Sequence, residues 1–190
     1  MSKQVLVPIA DGSEEIEAVC IIDVLRRAGA EVTVASVDSL QVTASRGVRL
    51  VADTLIRECS GKTYDLVALP GGMPGAEHLR DSSELMEILK LQKKEGRLYG
   101  AICASPAVVF QHHGLLDGRK ATSHPNFSGS LEHREAINSR VVVDGNCVTS
   151  RGPGTAIEFA LMLVELLLGK EKALEVAGPM IVTRVPNMEY

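Results

Sequence analysis

The chain has 190 residues, of which 45% are hydrophobic and 23% charged, as is ordinary for a globular domain that buries its own core. A net charge of −4 gives no basic field for a phosphate backbone, and an aromatic content of 3% without tryptophan gives few surfaces for stacking bases. We therefore expect no direct nucleic-acid partner, and the length predicts a single domain, residues 1–190.

The lengths of the apolar segments and the spacing of the cysteines indicate where in the cell the protein is found. The N-terminal apolar run is too short for a signal peptide. Ala156–Leu168, the most apolar late segment, contains two glutamates and is too short to cross a membrane. No cysteines form a C-x-x-C pair, which favours free thiols in a reducing compartment over disulfides or a metal site. We expect a cytoplasmic protein with no metal and no membrane contact.

The N-terminal segment has the pattern of a strand–helix–strand unit. Val5–Ala10 is a continuous apolar run, typical of a strand buried on both faces. Ser13 is the expected N-cap of a helix over residues 16–28 that ends at Gly29. Val32–Val37 predicts the second strand, so the two strands lie parallel in a βαβ unit.

The rest of the chain continues the alternation. Residues 42–51 predict a hairpin or short edge strands, and Asp144-Gly145 marks a hairpin turn. Together the elements predict one α/β sandwich around a mostly parallel sheet. The further strands are expected at Leu66–Leu69, at 98–102, near Lys120–Thr122, at Val141–Val143 and at Cys147–Thr149, and the helices at Ser83–Glu95, after Pro106, at Gly154–Leu168 and at Glu171–Ala177.

Cys103 is the most informative residue. It ends an apolar run, and Pro106, which suits the first position of a helix, follows shortly after it. This spacing predicts a strand-to-helix nucleophile elbow. Unpaired N–H groups and the helix dipole would favour a thiolate there. The alternative is a buried cysteine that packs as a small apolar side chain.

Glu17 is the second informative residue. It shares one helix face with Ile21, Val24 and Ala28, the stripe expected to face the core. A carboxyl group on such a face is costly unless it is partnered, and burial raises its pKa. Glu17 could then donate a hydrogen bond to a thiolate or move protons. The alternative is a side chain that reaches solvent at the helix end.

Other polar groups follow the ends of the predicted strands, where parallel sheets bind ligands. The N–H groups of Gly71, Gly72 and Ala104 could form an oxyanion hole, although two adjacent glycines could also serve only a tight turn. His124 precedes a proline, so its backbone is extended; as a lone histidine it is weak evidence for a role.

Two arginines are candidates for anion binding. Arg151 lies beside a predicted helix N-terminus, and Arg46 lies in a polar loop. The loop around Arg151 lacks both the G-x-x-x-x-G-K and the G-x-G-x-x-G patterns, so a nucleotide is not indicated. A small anion or a carboxylate remains the expected ligand.

Several segments together resemble the DJ-1/PfpI superfamily, and the resemblance covers nearly the whole chain. It implies a flavodoxin-like three-layer α/β/α sandwich and a homodimer. It also implies an oxidation-sensitive nucleophile at Cys103, an acid partner at Glu17 and a nearby histidine at His124. The matching segments are Asp11–Ala18, Ser45–Val48, Leu69–Gly72 with Gly75-Ala76, Ala101–Pro106 and Thr149–Thr155.

The resemblance assigns further roles. Gly72 and Ala104 match the oxyanion-binding positions, and Arg46 and Arg151 match positions that bind small anions, Arg46 at the dimer interface. The protease-like branch of the superfamily has a histidine directly after its cysteine, where this chain has Ala104. The one H-x-E sequence, at His133, falls in a polar region. A cysteine protease is therefore the weakest expectation.

The sequence thus predicts a cofactor-independent enzyme that acts on 2-oxoaldehydes. Cys103 would add to methylglyoxal or glyoxal, and Glu17, with His124, would move the proton that leads to lactate or glycolate. The same chemistry could reverse the glycation of amines and thiols, a deglycase activity with a role in oxidative stress. The alternative is a redox-sensing, chaperone-like protein in which Cys103 is oxidised to a sulfinate that Glu17 caps.

Overall fold

The structure, a computed structural model, describes residues 2–182, so the ends of the predicted 1–190 domain lie outside it. The strands are Gln4–Ile9 (β1), Glu31–Ser36 (β2), Gln41–Thr43 (β3), Arg49–Val51 (β4), Thr54–Leu55 (β5), Leu66–Leu69 (β6), Leu98–Ile102 (β7), Val141–Asp144 (β8) and Cys147–Ser150 (β9). The helices are Glu15–Arg27 (α1), Gly75–Asp81 (α2), Ser83–Lys94 (α3), Ala156–Leu168 (α4) and Lys170–Ala177 (α5), with a π-helix at Pro106–Gln111.

The central sheet has the strand order β5-β2-β1-β6-β7-β9-β8. Its neighbouring strands are parallel except β8, which pairs with β9 in an antiparallel hairpin. The predicted hairpin over residues 42–51 is the separate antiparallel pair β3–β4. The mostly parallel sheet predicted from the βαβ pattern is therefore confirmed.

Helices cover both faces of the sheet and produce two cores. Along β1, Val5 and Val7 pack on the side of α1, α4 and α5, whereas Leu6 packs on the side of α2, α3 and the π-helix. Such alternation of apolar side chains to opposite faces is expected of a strand buried on both sides. The three-layer α/β/α sandwich, flavodoxin-like in its class, is thus confirmed.

Two local predictions differ from the structure. The N-cap of α1 is Glu14, whose side chain accepts from the Glu17 N–H, whereas Ser13 accepts from Ala10 N–H one turn earlier. Lys120–Thr122 is not a strand, because β9 already pairs with β7 on one edge and β8 on the other. The sequence reasoning also missed α2, a short helix that follows the Gly71 turn.

The carboxyl ends of β1, β6, β7 and β9 meet at one rim of the sheet, and the loops that follow them carry the predicted site. The cysteines Cys20, Cys59, Cys103 and Cys147 are free thiols, as predicted. Within residues 2–182, no helix is both long and apolar enough to cross a bilayer.

Candidate active site

Cys103 occupies the predicted elbow between β7 and the π-helix. Its φ is 65°, in the left-handed region that residues other than glycine rarely adopt. The Cys103 N–H donates to Ser150 O at 3.0 Å, and the neighbouring Ser105 Oγ donates to Pro70 O at 2.6 Å. Pro106 begins the helix as predicted. The side chain is 8% exposed and lines a cavity.

Glu17 lies fully buried beside this thiol, as expected of a residue on the core-facing stripe of α1. Its Oε2 accepts from Gly71 N–H at 2.8 Å. Its Oε1 is buried without a hydrogen-bond partner among the described residues, and the carboxyl interacts with the Cys103 thiol. One carboxyl oxygen is thus fixed by a backbone N–H.

The protonation of this pair differs from the prediction. Burial, followed by the charge of Glu14, raises the pKa of the Glu17 carboxyl to about 7. Burial and the Glu17 carboxylate raise the pKa of the Cys103 thiol to about 12, against the opposing N–H groups of Gly72 and Ala104. The direction of the Cys103 shift is therefore opposite to the one that the sequence predicts, because burial and a nearby negative charge outweigh the amides. The carboxylate beside the thiol is placed to accept its proton.

Gly71 and Gly72, which follow β6, lie so close to neighbouring atoms that neither position has room for a side chain. A Cβ on Gly71 would lie 2.6 Å from Cys103 Cβ, and a Cβ on Gly72 would lie 2.4 Å from Glu14 N. Gly72 also has a φ of +89°, which favours glycine. The Gly71 N–H binds Glu17, while the N–H groups of Gly72 and Ala104 point at the sulfur of Cys103. These two donors are placed where an oxyanion hole requires them.

His124 reaches the site through its backbone and its ring. Its N–H donates to Cys103 O at 2.8 Å, which ties the 120–124 segment to the elbow. Its Nδ1 accepts from Asn126 N–H at 3.3 Å, and the ring packs edge-on against Phe127 with 6.1 Å between centroids. Because Nδ1 is an acceptor, the neutral ring carries its proton on Nε2.

The two arginines differ in their placement. Arg46 is exposed and lines the cavity above Cys103. Arg151 does not line this cavity; its N–H donates to Thr155 Oγ1 at 3.3 Å, and its buried Nε has no hydrogen-bond partner among residues 2–182. The structure therefore brings only Arg46 to the candidate site.

Two acidic residues at the start of α1, which the sequence analysis does not single out, make specific contacts near the site. Glu14 caps α1, accepting from Glu17 N–H at 2.7 Å, and lines the cavity. The buried Glu15 accepts from Ser45 Oγ at 2.9 Å and from Arg46 N–H at 2.8 Å. Glu15 thereby holds the loop that carries Arg46 against the helix. The N-cap position of Glu14, three residues before Glu17, is the signal that could have identified it.

The cavity above Cys103 has a volume of about 390 Å³. Its polar lining includes Glu14, Arg46 and His124. The other lining residues are Ser45, Gly72, Met73, Cys103, Ala104, Asn126, Phe127 and Pro153. Within residues 2–182, no group of three or more histidine, cysteine, aspartate or glutamate side chains is arranged to hold a metal ion.

Comparisons with known proteins agree with this geometry. Residues 3–166 match the model of the DJ-1/PfpI family. DJ-1 homolog B of Arabidopsis thaliana is 55% identical over 180 residues, which cover 94% of this chain and 41% of that protein. The glutathione-independent glyoxalase DJR-1.2 of Caenorhabditis elegans is 36% identical over 185 residues, which cover 96% of this chain and 97% of that protein.

A solved structure gives the same result. Oxidised DJ-1 from Toxoplasma gondii has a TM-score of 0.93 and 53% identity, covering 96% of this chain and 100% of that one. The chain spans less than half the length of the Arabidopsis relative and nearly the full length of the nematode one. The family model, the relatives and the fold agree, and the chain belongs to the DJ-1/PfpI family.

Proposed function

We propose that the chain is a cofactor-independent enzyme that converts 2-oxoaldehydes to 2-hydroxy acids, methylglyoxal to lactate and glyoxal to glycolate. The observation that carries the proposal is the buried Glu17 carboxyl beside the Cys103 thiol, with the N–H groups of Gly72 and Ala104 at the sulfur. The relative from Caenorhabditis elegans that bears the name glutathione-independent glyoxalase supports it.

The first step is addition of Cys103 to the aldehyde carbon. Glu17 in its carboxylate form takes the thiol proton as the S–C bond forms, so no resting thiolate is needed. The developing negative charge on the aldehyde oxygen is stabilised by the N–H groups of Gly72 and Ala104. Glu17 then gives its proton to that oxygen, which completes a hemithioacetal and returns the carboxylate.

The second step moves hydrogen between the two substrate carbons. Glu17 removes the proton of the former aldehyde carbon and returns it to the former ketone carbon, which leaves a thioester on Cys103. His124, with its neutral ring protonated on Nε2, can donate to a substrate oxygen. Water then cleaves the thioester, releasing the hydroxy acid and the thiol.

The test is the rate of lactate formation from methylglyoxal. Cys103→Ala should abolish it, and Glu17→Gln should lower kcat by about 10²- to 10⁴-fold because it removes the base. Cys59→Ala is the matched control, since Cys59 is a buried free thiol in the core on the α2–α3 side, away from the cavity. Equal rates for wild type and Cys103→Ala would contradict the proposal.

The same adduct chemistry would act on glycated amines and thiols, which gives a deglycase activity and a role in oxidative stress. The free cysteines fit a reducing compartment, so we propose the cytoplasm as the location. We also propose a homodimer. Its support is the exposed apolar side chains of Ile16 and Val19 on α1 and of Val48 and Val51 in the β3–β4 hairpin.

A redox-sensing role is the second candidate, and one observation favours it. The two N–H groups that face the Cys103 sulfur, together with a protonated Glu17, would supply three donors to the oxygens of a sulfinate. The similar structure from Toxoplasma gondii is itself described as oxidised. Mild peroxide should add two oxygens to Cys103 alone, and intact-mass and peptide analysis would show this; oxidation spread evenly over the four cysteines would contradict it.

A further inference from the structure

A second carboxyl group, that of Glu14, faces the same cavity as Cys103 and has no role in the steps above. Glu14 is 9% exposed, and its Oε2 is held by Glu17 N–H at 2.7 Å. The two acids therefore lie one helical turn apart, Glu17 below the sulfur and Glu14 at the cavity wall. An acid that is both fixed and open to the cavity can act on a substrate.

The proposed reaction needs such a group. When Glu17 removes the proton from the former aldehyde carbon, negative charge develops on the ketone oxygen, which must gain a proton. When Glu17 later returns its proton to carbon, the hydroxyl on the neighbouring carbon must lose one. Glu17 is occupied by the carbon-bound proton throughout, so a different group has to serve the two oxygens.

The surroundings of Glu14 suit this exchange. Burial, with a further contribution from the Glu15 carboxylate, raises the pKa of Glu14 above its usual range, against the N–H groups of Glu17 and Ile16 and the charge of Arg46. Glu14 therefore holds a proton closer to neutral pH than an exposed carboxyl does. His124 is the other candidate. To exchange protons with the substrate, its ring would have to give up the Nε2 proton while Nδ1 already accepts from the Asn126 N–H.

We propose that Glu14 is the second acid–base residue of the site, which exchanges protons with the substrate oxygens while Glu17 moves the proton between the carbons. Glu14 in its protonated form donates to the ketone oxygen as the Glu17 carboxylate takes the carbon-bound proton, and an enediol forms on Cys103. Glu17 then protonates the former ketone carbon, and Glu14 takes the proton of the other hydroxyl as its C–O bond becomes the thioester carbonyl. The inference rests on the proposed 2-oxoaldehyde activity.

The experiment separates this role from helix capping. Glu14→Gln keeps a side-chain oxygen for the Glu17 N–H, and Glu14→Asp keeps an N-cap residue but withdraws the carboxyl from the cavity by one methylene. Each variant, as the full chain, is mixed with methylglyoxal. Lactate is measured over time, and rapid-quench mass analysis measures the hemithioacetal on Cys103. Glu171→Gln, at a first-turn acid of α5 that does not line the cavity, is the control.

Both variants should still form the hemithioacetal, accumulate it, and produce lactate at least about 100-fold more slowly. Glu17→Gln should instead fail to form the adduct. Lactate formation at the wild-type rate by both Glu14 variants would overturn the inference, and so would slow lactate formation without accumulated adduct. Accumulation of the adduct in His124→Gln alone would overturn it as well. If Glu14→Gln does not fold, Glu14→Asp decides. Absence of lactate from the wild type would overturn the proposed function and this inference together.

Discussion

The Glu17 carboxyl is fully buried beside the Cys103 thiol, with Oε2 held by the Gly71 N–H and Oε1 without a hydrogen-bond partner among the described residues. A buried acid beside a thiol resists losing a second proton from the pair, because two negative charges in one dry site repel each other. The pair therefore works as a thiol with its own base, and its titration controls both reactivity and stability.

Stability should depend on pH through Glu17. Its pKa is about 7 in the folded protein against a reference value of 4.5, so the folded state holds this proton more tightly. The stabilising contribution is fully present below about pH 4.5 and is lost as the pH rises through about 7, a change of about 3 kcal/mol. Glu17→Gln removes this contribution.

Urea unfolding of wild type and Glu17→Gln at pH 5 and pH 8 measures the effect. The difference in the free energy of unfolding, Glu17→Gln minus wild type, should be larger at pH 8 than at pH 5. The same difference at both pH values would show that Glu17 does not titrate in this range.

The reactivity of Cys103 should follow the same group. In the wild type, alkylation by a small reagent such as iodoacetamide should rise with an apparent pKa of about 7, as Glu17 becomes the carboxylate that accepts the thiol proton. In Glu17→Gln no base is present and burial still disfavours the thiolate, so the profile should move to higher pH. Mass analysis of the Cys103 peptide over pH 5–10 measures this shift, and a superimposable pair of profiles would refute it.

Gly71 should tolerate no side chain. A Cβ there would lie 2.6 Å from Cys103 Cβ and 2.8 Å from Ile102 O, so Gly71→Ala must displace the elbow. We expect a loss of at least about 2 kcal/mol in the free energy of unfolding, together with lost activity. Gly129→Ala is the control, because a Cβ at Gly129 meets nothing within 4 Å. Equal thermal midpoints for the two variants would contradict the expected clash.

The apolar face formed by α1 and the β3–β4 hairpin should hold two copies together. Val51 is 71% exposed on β4, so Val51→Asp should cost the monomer little and should disfavour a dimer that buries this face. Sedimentation should give a dimer for the wild type and a monomer for Val51→Asp. Leu91→Asp is the control, at an exposed apolar residue of α3 on the other side of the sheet. A dimer that survives Val51→Asp would place the interface elsewhere.

Much of the fold was predictable because its signals are local. The run Leu66–Leu69 has the same bounds as β6, and Gly29 ends the first helix region with a φ of +84°. Lys120–Thr122 was predicted wrongly because a strand needs a free neighbour, and no residue in that segment shows that both edges of β9 are taken. Pairing between distant segments is a property of the whole sheet.

The amino-acid sequence alone determined that Cys103 sits at an elbow and that Glu17 lies on a buried helix face, because turn chemistry and helical periodicity act over a few residues. Only the tertiary structure decided that burial and the Glu17 carboxylate raise the pKa of the Cys103 thiol and that Glu14 lines the cavity. Protonation depends on burial and on charges brought close by folding, and neither quantity is written in the spacing of residues along the chain.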